Sequence, residues 1–341
     1  MTSPKQQRLR LSGGTDLSFI TAGDVSKPAL LLLHGFPSSS RTFGGVIPGL
    51  ARVAYVIARD LPGYGQSAPL PVPSFDAFGT AIQELLDHLA ISHRSIYLHD
   101  WGAPVGLDIA MRSPEQVSGL IIQNANAHRS GFGPLWQTTF EFWANPTAEN
   151  EAKATSHLTF EFTREQYTGG LPEEVAGRIK GEPWIEDWRV MNLPGRIDMQ
   201  RALIADYANV VARFDAIADY LRRCQPPALM LWGRHEPYFA LAETVSWMED
   251  LPRMEAHILD GSHFLLETHA DSALAFILEF IERTGQPEGR ANNVAVRKAP
   301  LQRQALSRAA ATAAQPMPRR LSASSALAIR SRKSPDDFTG F

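Results

Sequence analysis

The segment Leu98-His99-Asp100-Trp101-Gly102-Ala103 sets an ionisable side chain between an apolar run and a stretch of small residues. Ser95–His99 reads as a short strand and Trp101–Arg112 as the helix that follows it. A reactive side chain on such a sharp strand-to-helix turn stands exposed above a sheet. The first amides of the helix point to the same place and stabilise an anion there. Taken alone, Asp100 reads equally well as a plain helix N-cap. As a nucleophile, its carboxylate suits attack at an sp3 carbon, displacing a leaving group to form an alkyl ester that water then cleaves.

Three further segments bear on that choice. His34-Gly35-Phe36-Pro37 follows the apolar run Ala29–Leu33, and a glycine turn there can aim the Phe36 amide at the nucleophile. With the Trp101 amide it would make an oxyanion hole. Asp260-Gly261-Ser262-His263-Phe264 places a histidine where a strand gives way to a helix. Gly233-Arg234-His235-Glu236-Pro237 follows another strand and offers Glu236 as the acid that orients His263. The chain order nucleophile, acid, histidine favours His263 as a base over a structural histidine. Asp60-Leu61-Pro62-Gly63-Tyr64-Gly65-Gln66-Ser67 is read as a structural loop.

Those residues need a sheet to hold them. Arg8–Ser12 and Leu17–Ala22 read as a hairpin, and Ala29–His34, Val53–Arg59, Val117–Gln123, Ala228–Trp232 and Met254–Leu259 as further strands. Unbroken runs such as Ala29–Leu33 suit strands buried on both faces. Phe75–Leu89 has helical spacing with Ser74 as N-cap, and His263 to Glu282 reads as a closing helix. This alternation predicts an α/β fold with a mostly parallel sheet covered by helices. The expected core is residues 8–126 and 226–284. Residues 127–225 break the alternation, are helical and dense in aromatics, and read as an inserted cap lining an apolar pocket.

Together these segments resemble the α/β-hydrolase superfamily, and within it the epoxide hydrolase and haloalkane dehalogenase branch. The resemblance runs from about Leu11 to Ile281. The chain departs from the branch's pattern twice: Glu236 stands where Asp is usual, and Leu98 where the elbow usually has a small residue. The resemblance implies Asp100, His263 and Glu236 as catalytic residues, with Phe36 and Trp101 as the oxyanion hole. Epoxide opening leaves an alkoxide and needs an acid, which two cap tyrosines supply in epoxide hydrolases; Tyr207 and Tyr167 are the candidates. Halide release wants N–H donors instead, for which Trp101 and a cap tryptophan such as Trp136 would serve. His34 and Trp136 join the two tyrosines as expected substrate contacts. An epoxide hydrolase is the leading expectation and a haloalkane dehalogenase the alternative. A ligand-binding protein of this fold is a third reading, permitted by Glu236 and Leu98.

The whole sequence fits these expectations. It has 341 residues, 44% of them apolar and 20% charged, with a formal net charge of -3 and a pI near 6.4. That balance makes no electrostatic case for nucleic acid or an anionic membrane. No run approaches the roughly 20 apolar residues of a membrane span. Met1 to Gly14 lack an apolar signal core, and the single cysteine, Cys224, allows no intramolecular disulfide. The expectation is a soluble cytoplasmic protein whose partners are a small organic substrate and water. No cofactor or metal is expected, since no ligand cluster stands at metal-binding spacing. From Glu288 onward ten Lys or Arg face three Asp or Glu, and residues 285–341 read as a disordered basic tail.

Overall fold

The strands that read as unbroken apolar runs form the centre of an eight-stranded sheet. The computed structural model describes residues 3–284; the segment read as a basic tail lies outside the described residues. The strands are β1 (Lys5–Arg10), β2 (Asp16–Ala22), β3 (Ala29–Leu33), β4 (Tyr55–Arg59), β5 (Arg94–His99), β6 (Val117–Gln123), β7 (Ala228–Gly233) and β8 (Glu255–Leu259). Their spatial order is β1-β2-β4-β3-β5-β6-β7-β8. β2 pairs antiparallel with β1 and β4, and every pairing from β4 to β8 is parallel.

Alternate side chains of one strand point to opposite faces of the sheet. In β3, Leu31 and Leu33 join one core cluster while Leu30 and Leu32 join the other. β5 divides in the same way, with Ile96 and Leu98 opposite Tyr97. Helices cover both faces. They are α1 (Ile47–Leu50), α2 (Phe75–His88) and α3 (Gly102–Arg112) before β6, and α11 (Ala242–Asp250) and α12 (Leu265–Thr284) after β7. The Ser74 hydroxyl caps α2 by accepting from the Ala77 amide at 3.1 Å, as its spacing predicts.

Between β6 and β7 the chain makes α4 (Gln137–Ala144), α5 (Ala148–Ala154), α6 (Phe160–Thr168), α7 (Glu173–Ala176), α8 (Pro183–Met191), α9 (Arg196–Val211) and α10 (Phe214–Cys224). The chain leaves β6 through a tightly held loop. The fully buried Glu243 of α11 accepts from the Ala127 and His128 amides at 2.7 and 3.1 Å. α9 is tied down by the Tyr64 hydroxyl, which donates to Gln200 at 2.7 Å.

The bulky Leu98 has a physical accommodation. A Cβ on Gly106 of α3 would lie 2.2 Å from Leu98 Cδ2 and 2.8 Å from Leu33 Cδ1. The glycine therefore gives the leucine its room, and α3 packs closely on β3 and β5. The elbow keeps its shape with a large residue on the strand and none opposite.

Candidate active site

Asp100 sits at the carboxyl end of β5, near the middle of the parallel strands, where open α/β sheets place their ligand crevices. Its φ of 45° lies in the left-handed region that non-glycine residues seldom enter. Strain of this kind costs of order 1–3 kcal/mol and persists where surrounding structure enforces it. The Phe36 amide donates to Asp100 Oδ2 at 2.7 Å, and the Trp101 amide acts on the same carboxylate. A side chain at Gly35 could not be fitted, because its Cβ would fall 2.6 Å from Asp100 Cβ. Burial pushes the Asp100 carboxyl above its usual range, against the pull of His263 and these two amides.

His263 follows β8 on a short loop and is buried. Its Nδ1–H donates to Glu236 Oε2 at 2.9 Å. Both side chains are 1% exposed, so the pair is fully withdrawn from water. The one-methylene-longer Glu236 thus reaches the imidazole. Burial alone would lower the His263 pKa, but the Glu236 carboxylate and Asp100 outweigh it and raise the value above its ordinary 6.5. His263 Nε2 makes no hydrogen bond among the described residues. The His263 carbonyl accepts from His99 Nε2–H at 3.1 Å and from Gln123 Nε2 at 3.0 Å. Burial holds His99 neutral, well below 6.5.

Glu236 is itself fixed from several sides. Asn124 Nδ2 donates to Oε2 at 2.7 Å while Asn124 Oδ1 accepts from the Gly233 amide at 3.1 Å. Oε1 accepts from the Tyr238 amide at 2.8 Å. Asn124, Gln123 and His99 are positioning residues that reading the sequence missed. His99 and Gln123 end β5 and β6, and Asn124 follows β6, which is the only signal the sequence offers for them.

A cavity of about 380 Å³ opens over Asp100, Phe36 and Trp101, with Tyr207 and Ile204 of α9 and Trp136 among the residues around it. Tyr207 is 2% exposed and packs edge-on to Trp101, with ring centroids 5.1 Å apart. Burial, then the charge of Asp100, pushes its hydroxyl far above the usual phenol range, so it stays protonated. Trp136 lines the cavity, but its indole N–H is spent on the Tyr238 carbonyl at 2.9 Å. The Trp143 indole is spent likewise on Ile204 at 2.8 Å. The Trp101 Nε1 has no partner among the described residues and is buried beside the cavity.

Two expected contacts stand elsewhere. Tyr167 does not line the cavity; its hydroxyl donates to Asp187 and accepts from Arg41 at 2.7 Å, and its ring stacks on Phe264 at 4.1 Å. It fastens α6 and α8 to the core. His34 also lies outside the cavity lining: its Nδ1–H meets the Gly35 carbonyl at 3.0 Å and its Nε2 accepts the Leu61 amide at 2.9 Å. Burial holds it neutral, with a pKa of about 4, so it braces two loops. Tyr238 supplies what Tyr167 does not, lining the cavity with its ring 5.3 Å from that of His263. Its place two residues after Glu236 was the available signal.

The comparisons agree with this architecture. The model of the alpha/beta hydrolase fold family matches residues 28–270. An uncharacterized hydrolase of Saccharomyces cerevisiae is 30% identical over 277 residues, covering 77% of this chain and 92% of its own. Epoxide hydrolase 4 of Homo sapiens is 35% identical over 298 residues, covering 79% and 76%. Among solved structures, the epoxide hydrolase CorEH without ligand aligns with a TM-score of 0.65 at 23% identity, covering 82% of this chain and 99% of its own. With an elbow, an acid and a histidine at the carboxyl ends of β5, β7 and β8, this chain belongs to the α/β-hydrolase family and is one of its hydrolases.

Proposed function

We propose that the protein is an epoxide hydrolase acting through an Asp100 alkyl-enzyme ester. The observation that carries the reading is the Tyr207 hydroxyl, buried, held protonated, and sharing one cavity with Asp100. Asp100 Oδ2 is already bound by the Phe36 amide, which leaves Oδ1 to attack an epoxide carbon. The C–O bond breaks and the alkoxide takes the Tyr207 proton; Tyr238 is a second tyrosine lining the cavity. His263 Nε2 then takes a proton from water, and the hydroxide adds to the Asp100 ester carbon. The Phe36 and Trp101 amides hold the oxyanion. Collapse expels the diol oxygen, which keeps the proton of the new acid and leaves Asp100 ionised. The proton on His263 returns to the tyrosinate, so the balance is epoxide plus water to diol.

The bound Glu236–His263 pair and the accommodated Leu98 support catalysis over a ligand-binding role. The unpartnered Trp101 Nε1 favours a second reading, halide release from a haloalkane. Neither the Trp136 nor the Trp143 indole can be its second donor, since both are committed to carbonyls. Substrate and leaving group are separated by one experiment: His263→Gln protein is incubated with epoxides and haloalkanes and weighed intact. An adduct on Asp100 carrying the whole mass of an epoxide supports the proposal. An alkyl adduct from haloalkanes alone selects the second reading, and no adduct from folded protein refutes both.

A further inference from the structure

The cavity over Asp100 is mostly apolar, which by itself suits a hydrocarbon epoxide. Among the polar residues that line it, Gln166 stands out. Gln166 of α6 lines the cavity, is 4% exposed, and its amide makes no hydrogen bond among the described residues. With no protein partner, that amide meets only what fills the cavity. Thr139 of α4 repeats the pattern with a hydroxyl: it lines the same cavity, is 6% exposed and has no side-chain partner.

The position of Gln166 is enforced. One residue further along α6, Tyr167 is clamped by Arg41, Asp187 and the stacked ring of Phe264. Adjacent helical residues point about 100° apart, so anchoring Tyr167 to the core turns Gln166 into the cavity. Phe162, one turn earlier on the same face, lies 5.4 Å from the Tyr238 ring, which in turn stands 5.3 Å from His263. Gln166 therefore shares the α6 wall of the cavity with Phe162, and the Tyr238 ring stands between that wall and His263.

We infer that Gln166 is a specificity-determining residue that binds a neutral hydrogen-bonding group at the far end of the substrate. The inference rests on the epoxide hydrolase reading and names its substrate class: epoxides carrying a hydroxyl, carbonyl or amide remote from the ring. A glutamine amide offers two donors and an acceptor, so it pairs with any of these groups. A substrate that displaces water from this amide without replacing its hydrogen bonds loses affinity relative to one that pairs with it. The mouth of the cavity carries the cation Lys153, but that side chain is paired with Glu149 at 2.7 Å and half exposed, and makes no comparable demand.

The test compares a straight-chain terminal alkyl epoxide with the same epoxide bearing a hydroxyl at its far end. For the wild-type protein, kcat/KM should favour the hydroxylated epoxide by about ten-fold or more. Gln166→Leu and Gln166→Met should each bring that ratio close to unity while leaving alkyl epoxide turnover within about threefold. Gln166→Glu, which accepts but does not donate, should keep a preference for the hydroxyl and lose it for a far-end methyl ketone. An unchanged ratio in the Leu and Met variants, or a proportional loss on both substrates, overturns the inference. Wild-type turnover of both epoxides with no preference overturns it alone. Turnover of neither, with no Asp100 adduct in His263→Gln, overturns the parent reading and this one with it.

Discussion

Glu236→Gln keeps the shape of the acid and removes its charge. In the native site Oε2 accepts from His263 Nδ1 at 2.9 Å and Asn124 Nδ2 at 2.7 Å, while Oε1 accepts from the Tyr238 amide at 2.8 Å. A glutamine cannot answer all three. With its oxygen toward His263 it presents an NH2 to a backbone N–H, and turned around it presents that NH2 to two other donors. The larger loss is electrostatic, since the imidazolium that forms during ester hydrolysis loses its counter-charge at a site 1% exposed. Removing one partner of such a buried pair costs roughly 3–5 kcal/mol. At about 1.4 kcal/mol per tenfold, hydrolysis should slow by about two to four orders of magnitude. Alkylation should be spared, because Glu236 only pushes the Asp100 pKa upward and its loss eases ionisation of the nucleophile. A time course of intact mass should thus show a fast first turnover followed by accumulated ester. Equal slowing of both steps, or hydrolysis within tenfold of wild type, would refute the assignment of Glu236 as the acid partner of His263.

The remaining predictions address pH, the two tyrosines and the elbow. Hydrolysis needs neutral His263, whose pKa Glu236 and ionised Asp100 raise above 6.5; esterification removes the Asp100 charge, so single-turnover ester cleavage should rise with pH through a limb that lies below the titration of His263 in the free enzyme. Alkylation needs ionised Asp100, whose pKa is raised above 3.8 by burial, so it should fall on acidification earlier than an ordinary carboxylate would dictate. In Glu236→Gln the hydrolytic limb should move to lower pH, and an unmoved limb would show that another group titrates. Tyr167→Phe removes a hydrogen bond to a buried ion pair and should cost about 1.5–3 kcal/mol in denaturant unfolding with kcat almost unchanged. Tyr207→Phe should do the reverse, slowing epoxide alkylation by about 10²- to 10⁴-fold with little loss of stability; matched behaviour of the two variants counts against the assignment. Gly106→Ala should destabilise by about 1–3 kcal/mol through the 2.2 Å approach to Leu98 Cδ2. Joined to Leu98→Ala it should cost less than the two single changes together, whereas simple additivity in the unfolding midpoints would mean the two residues do not share that space.

What the sequence disclosed was local, and what it hid depended on distant chain. Asp100, Phe36, Trp101, Glu236 and His263 each follow a strand, so finding the strand found the residue, and the sheet's parallel order then brings them to one end. Leu98 was legible as a departure, but its accommodation required knowing that Gly106 stands opposite. The face of α11 is hard to read because it buries charged residues beside Trp247 and exposes aliphatic ones. Leu241 beside it and Val245 within it are about half exposed, while Glu243 is fully buried to hold the loop after β6. Reading apolar residues as inward places Trp247 correctly and Val245 and Met248 wrongly, so no single face stands out.

The exchange of Tyr167 for its neighbour Gln166 shows the same limit within one turn of helix. The sequence Arg164-Glu165-Gln166-Tyr167 marks an aromatic in an aromatic-rich insertion, and an aromatic is the natural choice for an apolar pocket. Which residue of α6 faces the pocket is decided by Arg41 and Phe264, which lie more than ninety residues away in each direction. Arg41 pulls the Tyr167 hydroxyl toward Asp187, and Phe264, next to the base, takes its ring. The clamp thus joins the rotation of a cavity-lining helix to the loop that carries His263. Loosening it should blur the preference at the far end of the substrate before it affects the bond-breaking step.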